Sequence, residues 1–145
     1  MATRIARTEW TGSLQEGSGR VTLSSSGVGS YDVSFPRRAA DDAGGVTSPE
    51  ELVAAAHTSC YCMQLSAVIA EAGGTPKSLV ADAAVSLGPD PAGGFRLTGI
   101  KLTVRGQVED MDAAGFARAA ETAKDTCPVS KALAGVDITL DAALA

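Results

Sequence analysis

The sequence is short of aromatic residues, of positive charge and of paired cysteines. Aromatic residues make up 4% of its 145 residues, and the formal net charge is −5. An acidic chain without an aromatic-studded basic patch repels phosphate backbones and anionic lipid, so we expect neither nucleic acid nor a membrane as partner. The three cysteines are too few for a secreted disulfide scaffold and are wrongly spaced for paired zinc knuckles.

The amino terminus also lacks a charged region followed by an apolar stretch, and no run approaches the ~18 apolar residues typical of a membrane span. We therefore expect a cytoplasmic protein. In that reducing compartment, functional thiols are usually catalytic, redox-sensing or metal-binding. The length predicts a single domain, 1–145, and the 45% hydrophobic content excludes intrinsic disorder.

The clearest local signal is the start of a long helix. Ser48 can cap it, Pro49 suits its first position, and Glu51 completes a capping box. The pattern predicts a helix to about Ala72, ahead of the helix-ending pair Gly73–Gly74. Because few of its residues are polar, most of its circumference must be covered, and we expect a central, buried helix.

The rest of the chain predicts mostly strands. The predicted strands are Ile5–Trp10, Arg20–Ser25, Tyr31–Phe35, Leu79–Leu87, Phe95–Val108 and Val136–Leu140. Two more helices are expected, one from an Asp112 cap through Lys124 and a short one beginning at Cys127. The segment Pro36–Val46 is typical of a surface loop, and a bulge is expected after Gly99. Since strands mostly neighbour strands, we expect an α+β fold with an antiparallel sheet.

Two cysteines are candidates for chemistry. Cys127 directly precedes Pro128 beside a helix cap, where backbone N–H groups and the helix dipole favour thiolate and lower its pKa. Cys60 lies in mid-helix, where burial would raise its pKa, so a reactive Cys60 needs a cation brought to it. The alternative for either residue is a small buried hydrophobic side chain.

Arg37 and Arg38 are the candidate cations, because a guanidinium stays charged and can bond both a thiolate and a peroxide oxygen. The alternative is that both arginines are solvated and balance the charge of the neighbouring Asp41 and Asp42. Glu50 could hold such an arginine through a bidentate bond, or could simply complement the helix dipole. Roughly 15 Å of helix separates Glu50 from Cys60. Either a long arginine spans that gap, the helix bends, or the arginine and glutamate come from a second chain.

His57, one turn before Cys60, could be a base or a metal ligand together with Cys60 and Cys62. However, Cys62 lies about 200° around the helix from Cys60, so the three cannot face one ion. We expect a hydrogen-bonded buried histidine instead, and we predict neither a metal nor a cofactor. We expect Cys62 to belong to the core.

The segment TSPEELVAAAHTSCYCMQLS resembles the signature of the OsmC/Ohr family of hydroperoxide peroxidases, and DTCPVSKAL resembles that family's second cysteine motif. The resemblance extends to TEWTGSLQEGSG, YDVSFPRR and DITLDAAL, and so spans nearly the whole chain. It is closer to the OsmC branch than to the Ohr branch, chiefly through AAAHTSC and CPVSKAL.

The resemblance implies a thiol peroxidase with a peroxidatic Cys60, a resolving Cys127 and an arginine–glutamate pair. Glu50 matches the glutamate, and we favour Arg38 over Arg37 as the arginine. The expected cycle is oxidation of Cys60 to a sulfenic acid, condensation with Cys127 to a disulfide, and reduction by a dithiol, lipoyl groups among the candidates. The physiological role implied is protection against oxidative or osmotic stress.

The resemblance also implies an antiparallel sheet wrapped around a long central helix, in an intertwined homodimer with its active sites at the subunit interface. A partner chain would cover the apolar helix. Apolar walls that include Phe35 and Tyr61 would favour organic hydroperoxides over hydrogen peroxide. The alternatives are a thiol-based redox-sensing or binding module without turnover, and a structural protein with inert thiols.

Overall fold

The computed structural model describes all 145 residues, which form two compact units, Met1–Leu52 and Val53–Ala145. A single-domain organisation therefore stays a prediction. The strands are β1 (Arg7–Thr11), β2 (Ser18–Thr22), β3 (Ser30–Val33), β4 (Thr75–Pro89), β5 (Phe95–Glu109) and β6 (Ile138–Leu144). The helices are α1 (Phe35–Arg38), α2 (Pro49–Glu71), α3 (Ala113–Thr126) and α4 (Pro128–Ala132).

The first unit is built on an antiparallel sheet of order β1-β2-β3, which confirms the three predicted strands. Trp10 lies opposite Gly19 in this sheet, and a Cβ on Gly19 would come within 2.8 Å of the Trp10 ring. The missing side chain therefore leaves room for the indole on the sheet.

The prediction of a loop over Pro36–Val46 was wrong at its start, because α1 forms there. The Ser34 side chain accepts a hydrogen bond from the Arg37 N–H at 3.4 Å, and Pro36 stands in the first turn. A capping serine followed by a proline is sufficient to start a helical turn. Both candidate arginines are consequently fixed at the end of a short helix.

Helix α2 begins and ends as predicted, with Gly73 in the left-handed conformation just beyond it (φ 87°). The Ser48 hydroxyl caps the Glu51 N–H at 3.2 Å. The Glu51 carboxylate, however, accepts a hydrogen bond from the Thr47 hydroxyl. Only the Ser48 half of the capping box is therefore formed.

Helix α2 is the long central helix that was expected, but the single chain does not cover most of its circumference. One stripe with four-residue spacing is fully buried, formed by His57, Tyr61, Leu65 and Ile69, whereas Met63 on another face is 68% exposed. By length and composition α2 would also fit a membrane span, because the mean hydropathy of its most apolar stretch is 1.4. This membrane-like composition was not expected from the sequence. The buried stripe is the feature of a core helix.

In the second unit β4 and β5 form a long antiparallel hairpin, as predicted. Its register shifts where Ser86 pairs with Gly99 and Leu87 pairs with Leu97, so Thr98 is an extra residue. The bulge therefore exists, but it lies just before Gly99 and not after it as predicted. The prediction of an antiparallel sheet was wrong for β6, which pairs with β5 in parallel. The two helices between β5 and β6 return the chain to the start of β5, and such a crossover permits parallel pairing.

The core of the second unit forms where α2 and α3 meet this sheet. Asp112 caps α3 as predicted, accepting from the Gly115 N–H at 2.7 Å. A Cβ on Gly106 of β5 would come within 2.7 Å of the Phe116 ring, so the glycine allows close packing of α3 on the strand. The fully or largely buried core residues are Tyr61, Leu65, Ile69, Leu102, Val104, Phe116, Ala119, Ala120, Ala123 and Cys127.

We expect Leu65→Ala to lower the free energy of unfolding by about 2–5 kcal/mol, because it opens a cavity at a fully buried position. The matched control is Leu14→Ala, where the side chain is 58% exposed and the change should stay within about 0.5 kcal/mol. Urea unfolding followed by circular dichroism measures both. Equal losses in the two variants would contradict this assignment of the core.

Candidate active site

Cys127 occupies the break between α3 and α4. Its N–H still bonds the Ala123 carbonyl of α3 at 2.8 Å, its backbone then turns to φ −58° and ψ 123°, and Pro128 begins α4. The residue is 0% exposed. The backbone turn places a buried sulfur at the N-terminus of α4, as the sequence predicted.

Burial raises the pKa of Cys127, but hydrogen bonds to the sulfur outweigh that effect and the net pKa is lowered. The groups that lower it are, largest first, the Ser130 backbone, the Cys60 thiol, the Ser130 hydroxyl and the Val129 backbone. Each stabilises the charged form of the sulfur. In the reduced protein the negative charge is therefore best held on Cys127.

Cys60 shows the opposite behaviour. It is half-buried on α2, and burial raises its pKa. The Val129 N–H lowers the pKa of Cys60, but its hydrogen bond to Cys127 and the charge there raise it further. The expectation that burial raises the pKa of Cys60 is confirmed, and the need for a cation stays a prediction. The two thiols form an interacting pair in which Cys127 is the more acidic member.

Three side chains of α2 hydrogen bond across to the segment that carries Cys127. The bonds join His57 Nε2 and Ser130 Oγ (2.8 Å), Tyr61 Oη and the Ala120 carbonyl (3.0 Å), and Gln64 Nε2 and Thr126 Oγ1 (3.0 Å). They stand on both sides of Cys127 along the chain and fix it against α2. Sequence reasoning did not single out Ser130 or Gln64; the signal for Gln64 was a lone amide in an apolar helix.

His57 is the hydrogen-bonded buried histidine that the sequence predicted. It is 0% exposed, and burial lowers its pKa, so the ring is neutral at neutral pH. Its Nε2 meets the Ser130 hydroxyl, whereas Nδ1 has no hydrogen-bond partner. Nε2 is thus hydrogen-bonded close to the cysteine pair, whereas Nδ1 is not hydrogen-bonded.

Two expectations about neighbouring residues were wrong. Tyr61 is 0% exposed and donates to a backbone carbonyl inside the core, so it does not offer a wall to a substrate. Burial raises the pKa of Tyr61 far above its ordinary value, and its hydroxyl stays neutral. Cys62 is only half-buried and is not a member of the core cluster; burial raises its pKa.

In the first unit Arg38 and Glu50 form a bidentate ion pair. Arg38 Nε donates to both carboxylate oxygens of Glu50 at 3.1 Å, and Nη2 donates to Oε1 at 2.6 Å. The Glu50 side chain is 11% exposed and that of Arg38 31% exposed. Such a two-pronged charged bond fixes the direction of the guanidinium plane.

The structure distinguishes the two candidate arginines by their partners. Arg37 is exposed and lies against the backbone of Gly44, where an added Cβ would come within 2.7 Å of its Nη1. The hydrogen bond that Arg38 donates to Glu50 raises the pKa of Arg38. Burial raises the pKa of Glu50, but the bonds from Arg38 and from its own backbone outweigh that and lower it overall. Arg38 is therefore the arginine that Glu50 holds, as favoured from sequence.

The predicted site residues thus form two pairs. Cys60 and Cys127 come together in the second unit, where each thiol affects the pKa of the other. Arg38 and Glu50 come together in the first unit and present an oriented cation.

We expect Glu50→Gln to lower the free energy of unfolding by about 1–3 kcal/mol at pH about 7, since it removes a charged, largely buried hydrogen-bond acceptor. The folded pKa of Glu50 is depressed, so its contribution exists above the unfolded pKa and is lost as pH falls through the folded pKa. The loss should therefore shrink towards pH about 3.

Glu9→Gln is the matched control, since Glu9 pairs with Arg7 where both side chains are over 70% exposed. It should cost less than about 1 kcal/mol at either pH. Denaturant unfolding of both variants at the two pH values gives the comparison. If the loss of unfolding free energy in Glu50→Gln stayed constant with pH, the Arg38–Glu50 ion pair would be contradicted.

Residues 41–141 match the family model described as OsmC-like protein. The chain is 39% identical over 132 residues to Peroxiredoxin OsmC of Escherichia coli (strain K12), which covers 91% of this chain and 90% of that protein.

The fold is similar to solved structures of the same group. One is an organic hydroperoxide resistance protein OsmC from Legionella pneumophila, with a TM-score of 0.79, 26% identity, and coverage of 99% of this chain and 98% of that one. Another is the organic hydroperoxide resistance protein OhrB of Bacillus subtilis, with a TM-score of 0.75, 30% identity, and coverage of 95% and 97%. Sequence and fold agree over nearly the whole chain: it belongs to the OsmC-like protein family.

Proposed function

We propose that this chain is a two-cysteine peroxidase that reduces organic hydroperoxides to alcohols, and hydrogen peroxide more weakly, in the cytoplasm. The coarser statement, a thiol-dependent peroxidase, follows from the family and from relatives named peroxiredoxin and organic hydroperoxide resistance protein. The observation that carries the finer proposal is the contact of Cys60 and Cys127, two free thiols with oppositely shifted pKa values.

In the first step the Cys60 thiolate attacks the distal oxygen of the hydroperoxide. The O–O bond breaks, Cys60 becomes a sulfenic acid, and the departing alkoxide takes a proton and leaves as the alcohol. Because burial raises the pKa of Cys60, this step needs a cation near the sulfur. We assign that role to Arg38, with Glu50 directing its guanidinium.

In the second step Cys127 attacks the sulfur of the Cys60 sulfenic acid. A disulfide forms, hydroxide leaves, and the proton given up by Cys127 converts it to water. An external dithiol then reopens the disulfide by exchange. The lowered pKa of Cys127 suits both steps, because a thiolate is the attacking species and a more acidic thiol is the better leaving group.

We further propose a homodimer in which the Arg38–Glu50 pair of one protomer serves Cys60 of the other. Ten helical residues, or roughly 15 Å, lie between Glu50 and Cys60 within one chain. The face of α2 that carries Met63 is exposed in the single chain although the helix is apolar, and a second copy would cover it. That apolar face, and not Tyr61, supports the preference for organic hydroperoxides.

The cysteine roles predict distinct oxidation products. With cumene hydroperoxide and a dithiol reductant we expect turnover by the parent, loss of activity to background in Cys60→Ser, and overoxidation of Cys60 in Cys127→Ser because no resolving thiol remains. Peroxide consumption and intact-mass analysis measure these outcomes, and Cys62→Ser is the matched control that should retain activity. Stoichiometric oxidation of the parent without turnover would instead favour a redox-sensing module.

The partner-chain proposal predicts complementation between two inactive variants. Cys60→Ser and Arg38→Met, co-expressed with different tags and purified as a heterodimer, should regain about half of the parent activity, because one of two sites is then intact. Each variant alone should be inactive, and Arg37→Met should stay active. An inactive heterodimer would show that Arg38 serves Cys60 of its own chain or of neither.

A further inference from the structure

The proposed cycle leaves one buried titratable group without a role, the ring of His57. It is the only histidine of the chain. Its Nε2 lies 2.8 Å from the hydroxyl of Ser130, which stands in the first turn of α4, three residues after Cys127, and lowers the pKa of that thiol. Ser130 therefore links the ring to Cys127, and all three side chains are nearly or fully buried.

We propose that Ser130 and His57 are positioning residues for Cys127: His57 Nε2–H donates to the Ser130 oxygen, and the Ser130 hydroxyl donates its proton to the Cys127 sulfur. The inference rests on the proposed function for its role in the cycle. The arrangement itself is a property of the reduced protein and needs no peroxide.

The direction of the two bonds follows from donor counting. A serine hydroxyl has one proton, so it cannot donate to both the sulfur and the histidine. When that proton points at the Cys127 thiolate, the Ser130 oxygen must accept from His57 Nε2–H. The proton of the neutral ring is then on Nε2, and Nδ1 is a bare acceptor.

The unpartnered Nδ1 supports this tautomer. It is buried and has no hydrogen-bond partner, and leaving a bare nitrogen there avoids an unsatisfied N–H donor. A proton on Nδ1 would also make the ring an imidazolium or turn Nε2 into an acceptor. Burial without a neighbouring carboxylate bond disfavours the first, and the second would take the hydroxyl proton away from Cys127.

The relay matters most after Cys60 has been oxidised. In the reduced pair the Cys60 thiol helps to hold the charge on Cys127, but its S–H is consumed when the sulfenic acid forms. The donors that remain are Ser130, through its hydroxyl and its N–H, and the Val129 N–H. The His57–Ser130 pair therefore favours ionisation of Cys127 for its attack on the sulfenic sulfur, and stabilises the same thiolate when the dithiol later displaces it.

The titratable groups that face the Cys127 sulfur are Cys60 and Tyr61 of α2, and His57 through Ser130. Tyr61 stays neutral and donates to Ala120, so it does not compete for the hydroxyl proton of Ser130. Replacing Cys60 and Cys62 by serine leaves Cys127 as the only thiol, since the chain has three cysteines. Its titration can then be read without interference.

The first test is the nitrogen-15 spectrum of reduced, isotopically labelled parent protein, in which a single histidine gives an unambiguous pair of signals. We expect the Nε2–H tautomer with an unprotonated Nδ1, and no titration between pH about 6 and about 8. An Nδ1–H tautomer, or an imidazolium in that range, would overturn the proposal.

The second test uses thiolate absorbance in the Cys60→Ser, Cys62→Ser background. Adding Ser130→Ala should raise the apparent pKa of Cys127 and reduce its ionisation constant about tenfold, the effect expected for one lost hydrogen bond to a charged group. His57→Leu should act in the same direction, and His57→Gln, which keeps a side-chain N–H donor, should restore part of the effect.

An unchanged Cys127 titration in the Ser130→Ala protein would overturn the relay, because a merely structural serine would alter stability and not the pKa. The nitrogen spectrum of the parent decides the matter even if a His57 variant does not fold. Neither measurement uses peroxide, so loss of the proposed peroxidase function and loss of the relay give separate results.

Discussion

The chemistry of this chain depends on the packing of one helix stripe against the break between α3 and α4. His57, Tyr61, Leu65 and Ile69 recur every four residues and are fully buried, which fixes the rotation of α2. That rotation turns Cys60 towards Cys127. The polar bonds from α2 to the segment around Cys127 add direction to an interaction whose energy comes mainly from apolar burial. Without this packing the two sulfurs, 67 residues apart in sequence, would not interact.

The same burial creates a conflict that the rest of the site must resolve. Removing both thiols from water disfavours their charged forms, yet the proposed chemistry requires a thiolate at each position in turn. Backbone N–H groups of α4 and the Ser130 hydroxyl relieve the penalty at Cys127, where a helix start is available. Cys60 lies in mid-helix, where no helix-terminal N–H groups are free, and only the Val129 N–H lowers its pKa. This is the reason for the proposal that an oriented guanidinium, that of Arg38 held by Glu50, acts on Cys60.

Local signals in the sequence were sufficient for most elements and for the candidate residues. Helix α2 was predicted from its cap and its terminal glycines, and the Cys127–Pro128 step predicted a sulfur at a helix start. The parallel pairing of β6 was not predictable from strand patterns, because it depends on where two helices return the chain. The burial of Tyr61 was missed for a related reason: periodicity places it on a stripe, but only tertiary packing decides which stripe faces the core. The Arg38–Glu50 bond was favoured by resemblance, and its preference over Arg37 depends on the helical turn formed after Ser34.

In the proposed cycle, the contrast between the two cysteines also accounts for neutral groups, Ser130 and His57, at Cys127 instead of a second cation. A positive charge there would hold Cys127 as a thiolate permanently and would compete with Arg38 for the single negative charge of the pair. Neutral donors stabilise that charge less strongly, so a nearby guanidinium can draw it to Cys60 and the proton can pass to Cys127. Oxidation of Cys60 then removes the competition, and the neutral donors suffice to ionise Cys127 again. An uncharged His57, kept neutral by its burial, is consistent with this alternation.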